Sequence, residues 1–158
     1  MAYAKLTDML NASEGEAYIT INGQRRLLFE IAKLSAQLEY SVTEKRMLGN
    51  RMKQHKVTGI SGTGSMTMYF ANSELLKQAI DYINSGNYTE ITIKVTNKDP
   101  KSTFGTSEVM LSNVIISSVL AAYLEGDSED PITHDTDFTF DGIENMSSLT
   151  TPDIFKAN

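Results

Sequence analysis

One uninterrupted alternation of apolar and polar residues constrains the fold of this chain more than any other feature. Between Ala32 and Thr43, twelve residues alternate without a slip, which places successive side chains on opposite faces of a β-strand. At about 3.3 Å per residue such a strand is near 40 Å long, well beyond the usual five or six residues. The pattern therefore predicts a strand that extends past the body of its own domain.

Shorter alternating runs predict further strands, so the chain is expected to be mainly β. Asn22-Gly23 is typical of a two-residue hairpin turn, because both residues tolerate positive φ. Gly59, Gly62 and Gly64 are interpreted as a turn or loop that leads into a strand over 64–70. The apolar residues expected to share a strand face are Ala17, Ile19 and Ile21; Met66, Met68 and Phe70; Ile91, Ile93 and Val95; and Phe138 with Phe140.

One helix is expected to interrupt the strands, over residues 73–85. Ser73 is its N-cap and Gly86 its C-terminal cap. Its apolar face is expected to consist of Leu75, Leu76, Ala79, Ile80 and Ile83.

Length and composition predict one globular β domain over 16–141, with less periodic arms at 1–15 and 142–158. The 158 residues are 41% hydrophobic and 22% charged, which is typical of a soluble globular domain. The most apolar stretch, Val114–Leu124, has eleven residues, against the roughly 20 that span a bilayer, so no transmembrane segment is predicted.

The residues that carry chemistry are sparse, and we expect neither an enzyme nor a cofactor. The chain has no cysteine, which excludes disulfides, Cys-ligated metals and thiol nucleophiles. Its two histidines, His55 and His134, are far apart and match no metal-binding spacing. Asp135 and Asp137 would share a strand face, but strand alternation explains that pair without catalysis.

Charge is unevenly distributed along the sequence. Residues 24–56 contain eight basic and three acidic residues, a net +5, whereas residues 120–158 contain nine acidic residues and one lysine, a net −8. Two solvated surfaces would explain this pattern, and so would complementary surfaces on neighbouring copies of the chain.

Several stretches resemble the tail tube proteins of contractile phages, defective prophages and phage-tail-like bacteriocins of Gram-positive bacteria. The resemblance is carried by MLGNRMKQHKVTG at 47–59 and GTGSMTMY at 62–69. It continues through Asp81-Tyr82, Gly86, residues 108–114 and the FTFD of 138–141, covering about residues 15–155. The family pattern favours a second arginine beside Arg51 and a glycine before His55, where this chain has Asn50 and Gln54.

This resemblance implies a β-sandwich or barrel-type tail tube fold with one covering helix, whose strands join those of neighbouring copies into a continuous inner β-barrel. Six-membered rings would stack into a rigid tube inside a contractile sheath, and closure of the barrel would leave no free sheet edge. The long strand would line the bore with one face and pack its other face beneath the rest of the domain. Its lumen candidates are Lys33, Ser35, Gln37, Glu39 and Ser41.

The resemblance also implies an inter-subunit loop over 43–58, whose contact residues would be Arg46, Met47, Leu48, Arg51, Met52, Lys53, His55 and Lys56. Its basic side chains would meet an acidic partner surface formed by Glu125, Asp127, Glu129, Asp130, Asp135 and Asp137. This charge pairing is a hypothesis that rests on the opposite charges of the two segments.

The implied function is structural: a tube driven through the target envelope when the sheath contracts, and in a phage a conduit for DNA. Implied partners are identical copies, sheath protein, baseplate, tape-measure protein and tail terminator, with passing DNA bound non-specifically and no specific small molecule. The protein would be made in the host cytoplasm and reside in a virion or bacteriocin tail. The tube of a type VI secretion-like apparatus is the nearest alternative, and a carbohydrate-binding or enzymatic β-sandwich is a more distant one.

Overall fold

A computed structural model of the chain describes residues 5–28, 30–153 and 156. Residues 1–4 of the expected N-terminal arm, and residues 154, 155, 157 and 158 of the expected C-terminal arm, lie outside the described residues. A 3₁₀ turn at Leu6–Asp8 precedes eight strands and one helix. Their bounds are β1 Gly15–Ile21, β2 Gln24–Leu27, β3 Ile31–Lys45, β4 Gln54–Tyr69, α1 Glu74–Ser85, β5 Ile91–Lys98, β6 Thr106–Ile116, β7 Thr133–Phe140 and β8 Gly142–Ser147.

The described part of the chain is mainly β, as expected, and its strand pairs are antiparallel. Its described residues divide into two compact units, a first within 1–29, 87–114 and 142–158 and a second within 30–86 and 115–141. Among the described residues, no helix has the length and apolarity needed to cross a membrane.

In the first unit, the strand order is β2-β1-β5-β6, with β8 pairing along β6. β8 occupies the start of the segment expected to be a C-terminal arm. The predicted turn at Asn22-Gly23 is confirmed: Ile21 pairs with Gln24, and the two turn residues have φ of 53° and 75°, as a type I′ turn requires. The core of this unit consists of Ile19, Ile21, Leu28, Ile91, Ile93, Leu111 and Val114.

In the second unit, β3, β4 and β7 pair in that order, and the last two residues of β6 pair with Phe138 and Thr139 of β7. Phe138 and Phe140 are buried on one face with ring centroids 6.4 Å apart. Met66 and Met68 are buried on the same side of the sheet, whereas Phe70 lies beyond the end of β4 and is partly exposed.

The interpretation of Gly59, Gly62 and Gly64 as a turn or loop is wrong, because all three lie within β4. Two of them are needed for packing. A Cβ on Gly62 would lie 2.6 Å from Cδ2 of Phe140, and one on Gly64 would lie 2.7 Å from Cε2 of Phe138. The glycines leave room for the two rings over the strand backbone.

Helix α1 differs from the expected one in its cap and in its buried face. The Ser73 side chain makes no cap hydrogen bond, and Oδ1 of Asn72 instead accepts one from the Glu74 amide at 2.7 Å. Gly86, with φ of 75°, ends the helix. Gln78 is buried, whereas Ile80 and Ile83, expected on the apolar face, are 46% and 79% exposed.

Candidate assembly surface

The hairpin formed by β3 and β4 is far longer than the core it packs on. The two strands have 15 and 16 residues and pair from Ile31–Met68 to Lys45–Gln54. At about 3.3 Å per residue this is a ladder of nearly 50 Å. Only its base is buried, because every residue from Ser35 to Ser61 is exposed. β3 is therefore longer than the twelve residues that the alternation indicated. The loop expected over 43–58 is shorter in the structure and covers only residues 46–53, which we call the tip.

A β-bulge near Thr58 keeps the two faces of the hairpin distinct. Ser41 pairs with Gly59 and Val42 with Val57, so Thr58 is an extra residue, and its Oγ1 donates to the Ser41 carbonyl at 3.2 Å. The extra residue turns Val57 to the same side as Ile60, three positions away in the sequence. Simple alternation would have placed those two side chains on opposite faces.

One face of the exposed hairpin is apolar. It consists of Leu38, Tyr40, Val42, Val57 and Ile60, called here the apolar hairpin face, whose exposed fractions run from 43% to 68%. Tyr40 lies directly opposite Ile60, and Val42 opposite Val57. A contiguous apolar row of this kind on a protein surface is typical of a protein–protein contact. The expectation that this side of the long strand packs beneath its own domain is met only near Leu34, which is half-buried.

The tip adds exposed apolar side chains to a basic background. A turn closed by the Asn50 amide and the Met47 carbonyl at 3.2 Å, with Gly49 at φ of 80°, leaves Leu48 fully exposed and Met52 largely so. A turn position that requires a positive φ favours glycine.

Two basic residues of the predicted inter-subunit loop have a partner within the chain. Glu44 accepts Nζ of Lys53 at 2.5 Å and lies 3.4 Å from Nε2 of His55. Arg46, Arg51 and Lys56 make no ion pair with any described residue. The tip therefore offers two guanidinium groups, and the adjoining start of β4 one ammonium group, that pair with no described residue.

The opposite face of the hairpin is polar and continues onto β7. Three rows of directly paired residues cross the strands: Lys33–Thr67–Asp135, Ser35–Ser65–Asp137 and Gln37–Thr63–Thr139. Thr67 donates to Asp135 at 2.6 Å, the two serine hydroxyls are 3.2 Å apart, and Gln37 donates to Glu39 at 2.7 Å. With Glu39, Ser41 and Ser61, these residues make up what we call the polar hairpin face.

All five lumen candidates, Lys33, Ser35, Gln37, Glu39 and Ser41, are exposed on the polar hairpin face. A groove of about 380 Å³ runs over its rows at Ser35 and Gln37, bounded by Ser117 and Asp137. One lysine and the three carboxylates of Glu39, Asp135 and Asp137 give this face a net charge of −2 per chain. Apart from the aliphatic stem of Lys33, it presents hydroxyls, amides and carboxylates, which water solvates well.

The six residues predicted as an acidic partner surface lie on two different parts of the second unit. Asp135 and Asp137 are on the polar hairpin face, whereas Glu125, Asp127, Glu129 and Asp130 lie in the exposed connection between β6 and β7. We call residues 125–130 the acidic segment. Tyr123 donates to Oε2 of Glu125 at 2.6 Å, and this hydrogen bond raises the pKa of Tyr123 above its usual value.

The described residues hold no group of three or more His, Asp or Glu side chains placed to bind a metal ion. His134, on β7, lies 3.2 Å from Oγ of Ser118, which is 3.0 Å from Oγ1 of Thr136. This network pairs the buried hydroxyl of Thr136, on β7, with the exposed Ser118 just beyond β6, and it has a structural explanation.

Sequence reasoning missed the apolar hairpin face and the extension of the polar face onto β7. The alternation identified two faces for β3, but β4 was expected to begin at Gly64, so Val57 and Ile60 were not recognised as strand residues. Val57 and Ile60 are an odd number of positions apart, whereas Ile60 and Met66 are an even number apart. This break in the two-residue period is typical of a β-bulge and would have identified Val57 and Ile60 as strand residues.

Comparison with known proteins supports the resemblance found in the sequence. The profile of the family described as phage tail tube protein matches residues 2–147. The phage-like element PBSX protein XkdM of Bacillus subtilis is 32% identical over 136 residues, covering 82% of this chain and 92% of that protein. The protein YqbM of the same organism is similar to the same extent.

Solved structures share the fold at low sequence identity. A chain of the anti-feeding prophage baseplate superimposes with a TM-score of 0.65 at 13% identity, covering 92% of this chain and 97% of that one. A chain of the sheath–tube complex of the PVC extracellular contractile injection system gives 0.60 at 15% identity, covering 91% and 95%.

Proposed function

This chain belongs to the phage tail tube protein family, and on that premise we propose that its copies join through the β3–β4 hairpin into six-membered rings that stack as the inner tube of a contractile tail. The work of the protein is then mechanical. The tube transmits the thrust of sheath contraction, and in a phage it conducts DNA.

The observation that carries this proposal is the apolar hairpin face. Its five side chains, led by Tyr40 at 68% exposed, lie on a paired and register-fixed β-ladder. Holding the eleven exposed residues 35–45 of β3 and the eight exposed residues 54–61 of β4 in strands costs backbone entropy of roughly 1–2 kcal/mol per residue. Apolar side chains that stay in water do not offset this cost. A neighbouring copy lying on this face removes the apolar surface from water.

The polar hairpin face is proposed as the bore. Its lumen residues are Lys33, Ser35, Gln37, Glu39 and Ser41, joined by Asp135 and Asp137 from β7. Hydroxyls and carboxylates hold a water layer, and a net charge of −2 per chain repels a polyanion such as DNA. A tape-measure protein or DNA therefore slides past without a specific contact.

The tip is proposed to contact the acidic segment of another copy. Arg46, Arg51 and Lys56 would meet Glu125, Asp127, Glu129 and Asp130, while Lys53 and His55 hold the tip through Glu44. Met47, Leu48 and Met52 would be buried at this contact. Each exposed ion pair contributes only about 0–1 kcal/mol, so the apolar side chains supply most of the stabilisation and the charges select the register.

Further partners follow from the family rather than from a site on this chain. We propose sheath protein around the tube, a baseplate below, a terminator above and a tape-measure protein inside during assembly. The subunit would be made in the host cytoplasm and reside in a phage or bacteriocin tail, with no catalytic role.

The experiment is electron microscopy with class averaging on purified, concentrated protein. Six-fold rings or stacked tubes are the expected result. A strict monomer that also fails to assemble on added baseplate would refute the proposal and revive a binding-module function. A ligand-dependent shift in melting temperature would then be the next measurement.

A further inference from the structure

The methionines of the second unit fall into two groups by exposure. Met66 and Met68 are buried, at 3% and 8% exposed, whereas Met47 and Met52 of the tip are 56% and 77% exposed. Methionine carries a polarisable thioether, which peroxides oxidise where they can reach it. The tip therefore presents two oxidisable sulfur atoms to water, and the core shields the other two.

The shape of the tip does not depend on these two side chains. The Asn50 amide donates to the Met47 carbonyl at 3.2 Å, and the Met52 amide donates to Oδ1 of Asn50 at 3.0 Å. Gly49 supplies the positive φ of the turn. Both hydrogen bonds use only the backbone groups of the methionines, so a change confined to the thioethers leaves the turn in place.

Cationic groups adjoin both sulfur atoms. Each tip methionine follows an arginine directly in the sequence, as Arg46-Met47 and Arg51-Met52. Neither guanidinium makes an ion pair with any described residue. The oxygen of a sulfoxide is a polar acceptor that water and guanidinium N–H groups can bond. An oxidised tip is therefore well solvated in the free chain.

We propose that Met47 and Met52 form a modification site that regulates assembly: hydrogen peroxide converts their thioethers to sulfoxides in the free chain, and an oxidised chain is left out of the tube. This inference rests on the proposed burial of the tip between copies. A sulfur lone pair attacks one peroxide oxygen, the O–O bond breaks as the S–O bond forms, and after proton transfer the second oxygen leaves as water. Sulfur loses the two electrons that the peroxide gains, so no further reactant is needed.

A sulfoxide at the tip affects assembly without affecting folding. In the proposed contact its oxygen would have to leave water and lie among apolar side chains such as Leu48. The hydrophobic gain of the two methionines is lost as well, so the concentration needed for ring formation should rise about 30-fold or more. Methionine sulfoxide reductases, one for each sulfoxide epimer, restore the thioether, so the oxidised chain returns to the pool that can assemble.

Peroxide treatment of the monomer tests the proposal, with peptide mass spectrometry to locate the added oxygen and sedimentation velocity to follow ring formation. Met47 and Met52 should be oxidised about tenfold faster than Met66 and Met68. The treated chain should keep its melting temperature, lose ring formation, and regain it after treatment with both reductases. Equal rates at the four methionines, or normal rings from chains fully oxidised at 47 and 52, would overturn the proposal. Absence of rings from the untreated chain, even on added baseplate, would overturn the proposed function and this inference with it.

Leucine variants assign the effect to the tip. Met47→Leu with Met52→Leu removes both sulfur atoms at nearly constant volume, and its threshold for ring formation should be the same before and after peroxide. The matched control is Met9→Leu with Met146→Leu, whose methionines are 46% and 51% exposed outside the tip. The control should lose assembly on treatment as the wild type does. Loss of assembly by the treated tip variant, or resistance of the control, would place the effect at other methionines and refute the proposal.

Discussion

Replacing Val57 and Ile60 together by threonine should separate assembly from folding. The two side chains are 56% and 55% exposed in the single chain, and threonine keeps the β-branched shape that suits a strand. The folded monomer therefore loses little, whereas a neighbour that covers the apolar hairpin face meets two hydroxyls in place of aliphatic groups.

The magnitude follows from the surface left to bury. Full burial of an aliphatic side chain contributes roughly 1.5–3 kcal/mol, and about half of that surface is still exposed at each position. Removing most of this gain costs about 1 kcal/mol per site, or about 2 kcal/mol per interface. Since 1.4 kcal/mol is about tenfold in an equilibrium constant, the concentration needed for ring formation should rise about 30-fold.

Sedimentation velocity across a concentration series measures this shift, and thermal unfolding of the dilute monomer checks the fold. The melting temperature should fall by less than about 2 °C. Ile93→Thr is the control with the opposite outcome: Ile93 is fully buried in the first unit, so that variant should lose roughly 2–4 kcal/mol of monomer stability. Unchanged assembly of the double variant would refute the role given to the apolar hairpin face, and a large drop in its melting temperature would refute its exposure.

Three further outcomes are expected. Gly64→Ala should destabilise the monomer by about 1–3 kcal/mol, because its Cβ would meet the Phe138 ring and the Ser35 carbonyl; Gly59→Ala, whose Cβ meets nothing within 4 Å, should be tolerated, and equal melting curves would contradict this packing. Arg51→Glu should weaken assembly at about 50 mM salt more than at about 500 mM, and adding Glu129→Lys should restore it; light scattering that shows no salt dependence would exclude the charge pairing. The double variant Asp135→Asn, Asp137→Asn should form rings as the wild type does if these residues line a bore. Loss of rings in electron micrographs would indicate instead that the two residues belong to the acidic partner surface.

Much of the strand arrangement could be predicted because period-two patterns determine which side of a sheet each residue faces. Ile19 and Ile21, or Phe138 and Phe140, are buried on the faces that their alternation indicated. The Asn22-Gly23 turn was predictable for a similar reason, since its conformation is determined by two adjacent residues.

The assembly surface was harder to predict because its signals are non-local. In the sequence, Gly62 and Gly64 are typical turn residues. Their role in the sheet depends on the rings of Phe138 and Phe140, which lie more than 70 positions later in the chain and pack over them. Thr58 is an ordinary strand residue in sequence, and only its pairing shows that it is the bulge. The division of the acidic residues between two surfaces depends on where β7 begins, which charge composition does not encode.

The strict alternation along β3 has a consequence for how such a chain can change over time. Odd positions such as Ser35, Gln37 and Glu39 project to one side, and even positions such as Leu38, Tyr40 and Val42 to the other. Substitutions on one side therefore leave the chemistry of the other side untouched. In the proposed tube, a lineage or an engineer can exchange serine for lysine along the odd positions to suit a different cargo while the apolar hairpin face is inherited unchanged.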